Sequence, residues 1–315
     1  MKKLIPLVLI FSLLLGCGAR EAAQTAPEVR DDSYTFTDDL GRTIAVHDPQ
    51  RVASLLGSFS DVWVLAGGEL VASVDDAWDD FGLDLGADAV NLGGTKDPSL
   101  EKLLASDPDF VIASANTQAD LDLMDTLDAA GIPTAYFDVS DFDDYLRMLK
   151  IFTDITGRAD LYEANGAAIQ DRIEASVSRV REHFGEESPK VLYLRIAAST
   201  IRAKNSKGNV LGEMLNSFGC TNIADSDATL LENLSMEHIL AQDPDFIFLV
   251  PQGNDEAGAQ AALEQFIADN PAWQGLTAVQ EGRVYTLEKR LYSLKPNALW
   301  AQAYEQLEGI LCGAE

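Results

Sequence analysis

The amino-acid sequence predicts an α/β protein of two similar lobes, each a mainly parallel sheet flanked by helices, with a ligand cleft between them. Three observations predict this fold. The segment SLEKLLASDPDFVI at 99–112 returns as SMEHILAQDPDFIF at 235–248, with 8 of 14 positions identical. Short apolar runs alternate with helical patterns in both halves of the chain. Between the copies, residues 158–184 contain no proline and have apolar residues at helical spacing, which predicts one long α-helix joining the lobes.

The repeated segment predicts a helix, a turn and a strand. The Glu-x-x-Leu-Ala stretch has helical spacing, and the Asp-Pro step ends the helix because proline restricts the residue before it. The apolar runs that follow, at 110–114 and 246–250, predict buried strands of a parallel sheet. Each copy is therefore one helix-to-strand unit of an α/β lobe.

The remaining elements continue this alternation on both sides of the long helix. Further helices are predicted at 118–131, 209–219 and 259–270. The other strands are predicted at 51–57, 70–76, 134–140, 190–196 and 284–288. The patterns divide the chain into an N-terminal lobe (34–157), the interdomain helix (158–184) and a C-terminal lobe (185–315).

The first residues predict export and a lipid anchor. A basic start followed by an apolar run is typical of a signal peptide at 1–16, and Leu-Leu-Gly-Cys at 14–17 resembles the lipobox of bacterial lipoproteins. In those proteins the cysteine becomes the acylated N-terminus. The resemblance implies lipidation of Cys17 and an extracytoplasmic protein held to the membrane by a flexible tether at 17–33. The alternative is an ordinary signal peptide with a chance cysteine.

Composition and charge exclude some classes of partner. The chain carries 51 acidic residues against 23 basic ones, a net charge of −28, which argues against nucleic acid and anionic membrane surfaces as partners. The excess of acid is interpreted as a solubility property. Besides Cys17 the sequence contains Cys220 and Cys312, and it leaves open whether these two form a disulfide.

Basic residues are concentrated in two short segments, against the overall charge. Residues 191–212 contain four bases and no acid: Arg195, Arg202, Lys204 and Lys207. A second group, Lys289, Arg290 and Lys295, lies close to Tyr292. Because Arg195 ends an apolar strand, its guanidinium is positioned to bind a carboxylate or catecholate oxygen. The segments therefore indicate an anionic or oxygen-rich ligand; the alternative is two exposed basic loops.

Several motifs together resemble one family of transport proteins. They are DDLGRTIAVHDPQRVASLL, LGGTKDPSLEKLLASDPDFVI, NIADSDATLLENLSMEHILAQDPDFIFLV and NPAWQGLTAVQEGRVYTL. Over about residues 34–311 the chain resembles the substrate-binding proteins of iron-siderophore, haem and cobalamin ABC importers, whose two lobes are joined by a single long helix. The resemblance implies a monomer that binds a small-molecule iron complex and delivers it to an importer permease and, through it, its ATPase.

The same resemblance gives the repeated glutamate a role. In this family a glutamate of each lobe docks onto arginines of the membrane subunits, and the matching positions here are Glu101 and Glu237. The alternative is that each is a solvated first-turn acid favourable to the helix dipole, capped by Ser99 or Ser235.

Ligand-binding residues are predicted in the loops beyond the carboxyl ends of the strands, where open α/β sheets bind ligands. Trp78, in a polar Asp-rich loop, is the main aromatic candidate. The predicted set is Ser58, Phe59, Trp78, Thr95 and Asn116 in the first lobe, and Arg195, Arg202, Lys204, Gln252, Tyr292 and Lys295 in the second.

These groups favour a ferric siderophore over the other ligands of the family. Haem needs an axial ligand, and none of His47, His183 and His238 lies at a predicted cleft loop, although Tyr292 keeps haem as the alternative. Cobalamin has no distinguishing residue here. We expect no intrinsic cofactor and no protein-held metal, since clustered histidines and carboxylates are missing from the pattern. Motifs of hydrolases and nucleotide-binding enzymes are also missing, so a cleft hydrolase is only a remote alternative to a binding protein that is not an enzyme.

Overall fold

The computed structural model describes residues 33–226, 229–232 and 234–313. The predicted signal peptide, Cys17 and the tether up to residue 32 lie outside the described residues. The strands are β1 (Tyr34–Thr37), β2 (Thr43–Val46), β3 (Val52–Ser54), β4 (Leu70–Ser73), β5 (Val90–Asn91), β6 (Phe110–Ser114), β7 (Thr134–Phe137), β8 (Lys190–Ala197), β9 (Thr200–Lys204), β10 (Thr221–Asn222), β11 (Phe246–Pro251) and β12 (Val284–Thr286).

Fifteen α-helical segments lie among these strands in the described part of the chain. They are α1 (Gly57–Leu65), α2 (Asp76–Asp79), α3 (Leu100–Ala105), α4 (Gln118–Asp122), α5 (Met124–Ala129), α6 (Phe142–Thr156), α7 (Ala159–Tyr162), α8 (Ala168–Phe184), α9 (Val210–Phe218), α10 (Thr229–Glu232), α11 (Met236–Gln242), α12 (Glu256–Asp269), α13 (Thr277–Gln280), α14 (Lys289–Tyr292) and α15 (Trp300–Cys312).

Two parallel sheets with the same strand order confirm the predicted fold class. The N-terminal sheet has the order β5-β4-β3-β6-β7, and all its strands are parallel. In the C-terminal sheet the parallel strands have the order β10-β8-β11-β12. When the strands of each sheet are counted along the chain, leaving out β5 and β9, both sheets have the same spatial order: second, first, third, fourth. The lobes are therefore similar in topology, as the repeat predicts.

One strand of the C-terminal sheet departs from the prediction. Residues 200–204, expected as part of a loop, form β9, which pairs antiparallel with β8. Strand β8 is longer than its neighbour β10, which pairs with only the first two residues of β8. The rest of this edge of β8 is therefore open, and the chain folds back through a two-residue turn to pair with it. Ile201 and Ala203 then pack against a hydrophobic core, while Arg202 and Lys204 face the other side.

Both copies of the repeat form the same local structure. Ser99 Oγ accepts a hydrogen bond from the Lys102 amide at 3.3 Å, and Ser235 Oγ accepts one from the His238 amide at 3.3 Å, so each serine caps its helix. After the helices, Asp107 and Asp243 both have left-handed backbone conformations, with φ of 50° and 44°.

The second aspartate of each copy then ties its strand to the neighbouring strand. Asp109 Oδ1 accepts from the Arg51 amide at 2.9 Å, and Asp245 Oδ2 accepts from the Lys190 amide at 2.8 Å. The repeat is therefore a capped helix, a left-handed turn and a fixed strand start, used once in each lobe.

The helix between the lobes is nearly continuous from Ala159 to Phe184. Between α7 and α8 its hydrogen bonding is that of a π-helix over Glu163–Ala167. Gly166 lies in this segment, and a Cβ there would come within 2.8 Å of the Leu146 side chain of α6. The missing side chain therefore allows the helix to pack closely on the N-terminal lobe. The domain limits drawn around this helix stay predictions.

A single hydrophobic core runs through both lobes. It includes Phe137 and Phe152 of the N-terminal lobe, Ile173 of α8, and Tyr193 and Trp300 of the C-terminal lobe, and each is at most 6% exposed. Two smaller hydrophobic cores lie on the outer faces of the sheets, one on the C-terminal sheet and one on the N-terminal sheet. Because the shared core is contiguous, moving the lobes apart exposes apolar surface, which favours a stiff connection.

Candidate ligand site between the lobes

Residues that follow the strands of one lobe contact residues that follow the strands of the other. Lys289 Nζ lies 2.7 and 2.9 Å from the carboxylate oxygens of Asp80 and 2.9 Å from Asn254 Oδ1. Asn297 Nδ2 donates to the Ser58 carbonyl and to Asp61 Oδ2, both at 2.8 Å. The carboxyl edges of the two sheets therefore face one another, as a cleft between the lobes requires.

Two bases predicted to face a ligand, Lys289 and Arg290, also take part in this contact. Arg290 lies 3.2 Å from Asp61 Oδ2, stacks over the Phe81 ring with its guanidinium carbon 4.2 Å from the centroid, and donates to the Lys295 carbonyl at 2.7 Å. With Lys289 bound to Asp80, both charges are neutralised by the N-terminal lobe. Because both bases also line a cavity between the lobes, their interpretation as ligand-binding bases stays a prediction.

The other bases form a group on the C-terminal lobe that we call the basic wall: Arg195, Arg202, Lys204 and Lys295. Arg195 is paired with Arg202, and Tyr193 with Lys204, in the register of the hairpin of β8 and β9. Because side chains opposite one another and two apart share a face, Arg195, Arg202 and Lys204 lie on one side of this hairpin. Arg195 Nε donates to the buried Tyr193 hydroxyl at 3.0 Å, which holds the guanidinium in place.

The bases of the wall repel one another. Desolvation lowers the pKa of Lys204, and the charges of Arg195 and Arg202 lower it further. Desolvation also lowers the pKa of Lys295, with Arg195 adding to the effect and Asp138 opposing it. A bound anion would relieve this repulsion.

Polar groups of the N-terminal lobe lie at the ends of β6 and β7. Asn116 Nδ2 donates to Asp138 Oδ1 at 2.5 Å, and Ser140 Oγ lies 3.4 Å from the same oxygen. This group and Arg195 each lie at the carboxyl ends of parallel strands, in different lobes. The two sides therefore differ in character, basic on the C-terminal lobe and acidic to neutral on the N-terminal lobe.

A cavity of ≈ 550 Å³ lies beside this group and is lined by both lobes. Its walls include Ile196, Leu263 and Leu287, and its rim includes Asp79 and Asp80. Lys289 and Arg290 line it as well. The other predicted ligand residues do not, although four of them are sequence neighbours of lining residues: Trp78, Arg195, Gln252 and Lys295. Since neighbouring residues of a strand point to opposite faces, this cavity lies on the other side of β8 from the side chain of Arg195.

Most of the other predicted ligand residues are accessible. Trp78 in α2 and Thr95 after β5 are half-buried, whereas Asn116 and Gln252 are exposed. The structure brings Arg195, Arg202 and Lys204 together, and the charge of Arg195 lowers the pKa of Lys295. Within the described part of the chain, no hydrogen bond or ion pair joins Trp78, Thr95, Asn116 or Gln252 to these bases.

Three predicted residues are core residues. Ser58, Phe59 and Tyr292 are only 2%, 1% and 1% exposed. Helix α1 begins at Gly57, where a Cβ would come within 2.6 Å of the Ala77 amide nitrogen, so the expected loop is a tightly packed helix start that buries Ser58 and Phe59. The Tyr292 hydroxyl donates to the Ala303 carbonyl at 2.9 Å. Their assignment as ligand residues is corrected for this reason.

Asp138 and Ser140 are not in the predicted set of ligand residues. Both lie within the strand predicted at 134–140, whereas the observed strand β7 ends at Phe137 and leaves them beyond its carboxyl end. Acidic residues are so frequent in this chain that an individual one does not stand out. The sequence left open whether Cys220 and Cys312 form a disulfide. In the structure both are free thiols, with Cys220 buried and Cys312 half-buried.

Two acids of the N-terminal lobe have raised pKa values: Asp76, which is half-buried, and Asp120, which is buried. Asp76 Oδ1 accepts from the Gly57 amide at 2.9 Å, and Asp120 Oδ2 accepts from the Ser114 amide at 2.7 Å. Burial raises the pKa of Asp76 to about 6 and that of Asp120 to about 7, although these hydrogen bonds lower both pKa values. The second oxygen of Asp120 is buried with no hydrogen-bond partner within the described residues.

Replacing Asp120 by asparagine should stabilise the protein at alkaline pH. The carboxyl pKa is 3.8 when unperturbed and about 7 in the fold, so the native state holds the extra proton and its stability falls as the pH rises through 7. The asparagine amide keeps an oxygen that accepts from the Ser114 amide, and it cannot ionise. We expect Asp120→Asn to raise the free energy of unfolding by on the order of 1–3 kcal/mol more at pH 8 than at pH 5. Urea titrations at both pH values measure this, and an equal change at both would contradict it.

Within the part of the chain that the structure describes, no three or more histidine, cysteine, aspartate or glutamate side chains are grouped so that they could hold a metal ion. No helix there is long and apolar enough to cross a membrane.

Comparison with known proteins adds two curated relatives from Bacillus subtilis (strain 168). The chain is 23% identical over 317 residues to the putative ABC transporter substrate-binding lipoprotein YhfQ, covering 96% of each protein. It is 23% identical over 266 residues to the Fe(3+)-citrate-binding protein YfmC, covering 82% of this chain and 79% of that one.

Solved structures share the fold at low identity. Staphylococcus aureus SirA complexed with staphyloferrin B matches with a TM-score of 0.67 at 21% identity, over 88% of this chain and 97% of that one. The haem-binding protein RhuT from Roseiflexus sp. RS-1 matches with a TM-score of 0.67 at 20% identity, over 84% and 98%. The family model described as periplasmic binding protein matches residues 52–291, more than half of the sequence. With two similar parallel sheets facing across a cleft and this match, the chain belongs to the periplasmic binding protein family.

Proposed function

We propose that this protein binds a ferric siderophore-type iron complex outside the cytoplasm and delivers it to an ABC importer. The observation that carries the proposal is the basic wall: four cations gathered at the cleft edge of a protein whose net charge is −28. Siderophores present carboxylate, catecholate or hydroxamate oxygens, and the first two are anionic. Arginine binds such oxygens through two parallel hydrogen bonds, and lysine adds positive charge.

The ligand rather than the protein supplies the iron in this proposal. A chelator that fills the coordination shell of iron leaves the protein to recognise charge, hydrogen-bond geometry and shape. The basic wall offers donors for this purpose, and Asn116 offers an amide from the facing lobe. YfmC, whose name gives ferric citrate as its ligand, is consistent with an anionic oxygen-rich complex.

Haem was the alternative ligand, with Tyr292 as the candidate axial ligand of its iron. A phenol that ligates haem iron needs its oxygen directed into the ligand pocket. Here the hydroxyl is buried, donates to the Ala303 carbonyl and lies 3.2 Å from Gln306 Oε1. The residue that supported haem is therefore part of the core, which leaves the ferric chelate as the better-supported ligand.

The proposal extends to the partners of the protein. Glu101 and Glu237 are exposed in the first turns of α3 and α11 and would each bind an arginine of the permease. Lipidation of Cys17 would hold the monomer at the membrane beside that permease.

Tryptophan fluorescence tests the ligand class. Trp78 is half-buried beside the cleft, whereas Trp63, Trp273 and Trp300 are at most 2% exposed, so Trp78 should report ligand binding. The purified protein is titrated with ferric hydroxamates, ferric catecholates, ferric citrate, haemin and cobalamin. We expect saturable quenching by a ferric chelate at sub-micromolar concentration, and loss of most of it in Trp78→Phe.

The same titration identifies the wrong ligand class. Tight binding of haemin with a shifted Soret band, or of cobalamin alone, would contradict the proposal. Binding of none of these compounds, checked by calorimetry, would also contradict it, since calorimetry does not depend on the position of Trp78.

A further inference from the structure

We propose that Tyr193 is a positioning residue of the ligand site: its buried hydroxyl fixes the guanidinium of Arg195 so that the two terminal nitrogens, rather than Nε, bind both oxygens of one carboxylate of the iron complex. This inference rests on the proposed function, because it concerns how the basic wall receives its ligand. It also narrows the ligand class to ferric complexes that present a free carboxylate.

Both residues lie on the same face of β8, and the sheet holds this strand from both sides. Tyr193 is paired with Phe248 of β11 and, on the opposite edge, with Lys204 of β9. Arg195 follows two residues later, towards the carboxyl end of the strand, so its side chain leaves the sheet beside that of Tyr193. Tyr193 is 0% exposed and belongs to the core that runs through both lobes. Its hydroxyl is therefore held at a fixed point next to Arg195.

The contact between Tyr193 and Arg195 occupies one edge of the guanidinium and leaves the other open. Arg195 Nε donates to the Tyr193 hydroxyl at 3.0 Å. In the described part of the chain, no hydrogen bond or ion pair involves the terminal nitrogens of Arg195, whereas in Arg290 both of them contact protein oxygens. Each terminal nitrogen carries two N–H groups, and the pair can meet the two oxygens of a carboxylate in parallel. Arg195 is therefore anchored at Nε and free to bind a ligand through its terminal nitrogens.

A neutral anchor preserves the charge of Arg195 for the ligand. Burial raises the pKa of Tyr193, although Arg195 lowers it, so the phenol stays protonated and uncharged. By contrast, the carboxylate of Asp61 neutralises the guanidinium of Arg290. Because a flexible side chain loses freedom when it binds, an anchor that is present before the ligand arrives lowers the cost of binding. The hydroxyl of Tyr193 should therefore increase affinity without touching the ligand.

Tyr193→Phe tests this role, because phenylalanine keeps the buried ring and removes the hydroxyl. By calorimetry, we expect Tyr193→Phe to bind ferric citrate about fivefold more weakly than the wild type. In a protein that already carries Arg195→Gln, adding Tyr193→Phe should weaken binding less than about twofold, since the hydroxyl then has no guanidinium to hold. An equal loss in both backgrounds would overturn the positioning role, because it would show a general effect on the fold.

Tyr304→Phe is the matched control for the loss of a buried hydroxyl. Tyr304 belongs to the same lobe and is 4% exposed, and its hydroxyl lies 3.2 Å from Ser217 Oγ. This variant should change the affinity for ferric citrate less than about twofold, because it leaves the contact between Tyr193 and Arg195 in place. A loss as large as that in Tyr193→Phe would contradict the inference.

The ligand class is tested with ferrioxamine E, an uncharged ferric trihydroxamate without a carboxylate. We expect the wild type to bind it more weakly than ferric citrate, and Tyr193→Phe to bind it as the wild type does. Tighter binding of ferrioxamine E than of ferric citrate would overturn the narrower ligand class and leave the proposed function standing.

A further measurement needs no ligand. In protein labelled with ¹⁵N at arginine, the Nε–H signal of Arg195 is assigned by its loss in Arg195→Gln. Its exchange with water should be faster in Tyr193→Phe and unchanged in Tyr304→Phe. An unchanged signal in Tyr193→Phe would overturn the proposed anchor. A changed signal with unchanged affinity for ferric citrate would overturn the role in binding and leave the proposed function standing. If the wild type does not bind ferric citrate, the role of Tyr193 is also overturned, while the wider ligand panel decides the proposed function separately.

Discussion

Cells that carry the Glu101→Ala, Glu237→Ala double variant should lose uptake of the iron complex while the purified variant keeps its affinity for it. Helix α3 runs between parallel strands β5 and β6, and α11 precedes β11 in the same way, so both helices begin at the carboxyl edges of their sheets. The two glutamates are exposed in matching first turns, one on each side of the cleft. A transporter with two like halves would bind one glutamate with each half.

The control removes the same two charges elsewhere. Glu69→Ala and Glu264→Ala change exposed glutamates, one in each lobe, and should leave uptake unchanged. Uptake is measured with ⁵⁵Fe complexes and affinity by calorimetry. If the Glu101 and Glu237 variant transports normally, the docking assignment is wrong, and if it loses affinity, the two residues belong to the ligand site or the fold.

Removing two charges of the basic wall should weaken binding of a ferric chelate by about 100-fold or more. A hydrogen bond to a charged group contributes about 1.5–3 kcal/mol, and each 1.4 kcal/mol is a factor of ten in affinity, so Arg195→Gln with Lys295→Gln removes two such contributions. Part of the loss is offset because the remaining bases repel one another less. Calorimetry at several salt concentrations measures the effect, and the salt dependence of binding should become weaker in the variant.

Lys207→Gln is the matched control, because it removes one positive charge from the same lobe outside the basic wall. Lys207 belongs to the same base-rich segment, is exposed and lies beyond the end of β9. It should change affinity less than threefold. If all three substitutions act alike, the ligand senses the general charge of the C-terminal lobe, and the basic wall is not its binding site.

The features predicted correctly from sequence are those that depend on neighbouring residues. The serine caps, the Asp-Pro turns and the apolar runs of the repeat are local signals, and they recur in both lobes. The parallel arrangement of the strands in the two sheets then follows from the regular alternation of helix and strand. Arg195 was correctly placed at the end of a strand for the same reason.

The features that were missed depend on contacts distant in sequence. Strand β9 forms because an edge of β8 is left open, and no pattern within residues 200–204 reports that edge. Phe59 and Tyr292 were assigned to the ligand by their position near strand ends, but tertiary packing buries both. The ion pair between Arg290 and Asp61 joins the two lobes, and the local sequence around Arg290 does not indicate this partner. Side-chain direction and partners across the cleft are properties of the folded chain.

Locating the iron in a ligand-bound crystal decides whether the cleft is the binding site. The wild-type protein is crystallised with the ferric chelate that binds most tightly in the fluorescence panel, and the iron is found from its anomalous scattering. We expect the iron between the lobes, with oxygens of the chelator within hydrogen-bonding distance of Arg195 and Lys295. Iron bound directly by protein side chains, or a complex that contacts neither residue, would contradict the function proposed for this protein.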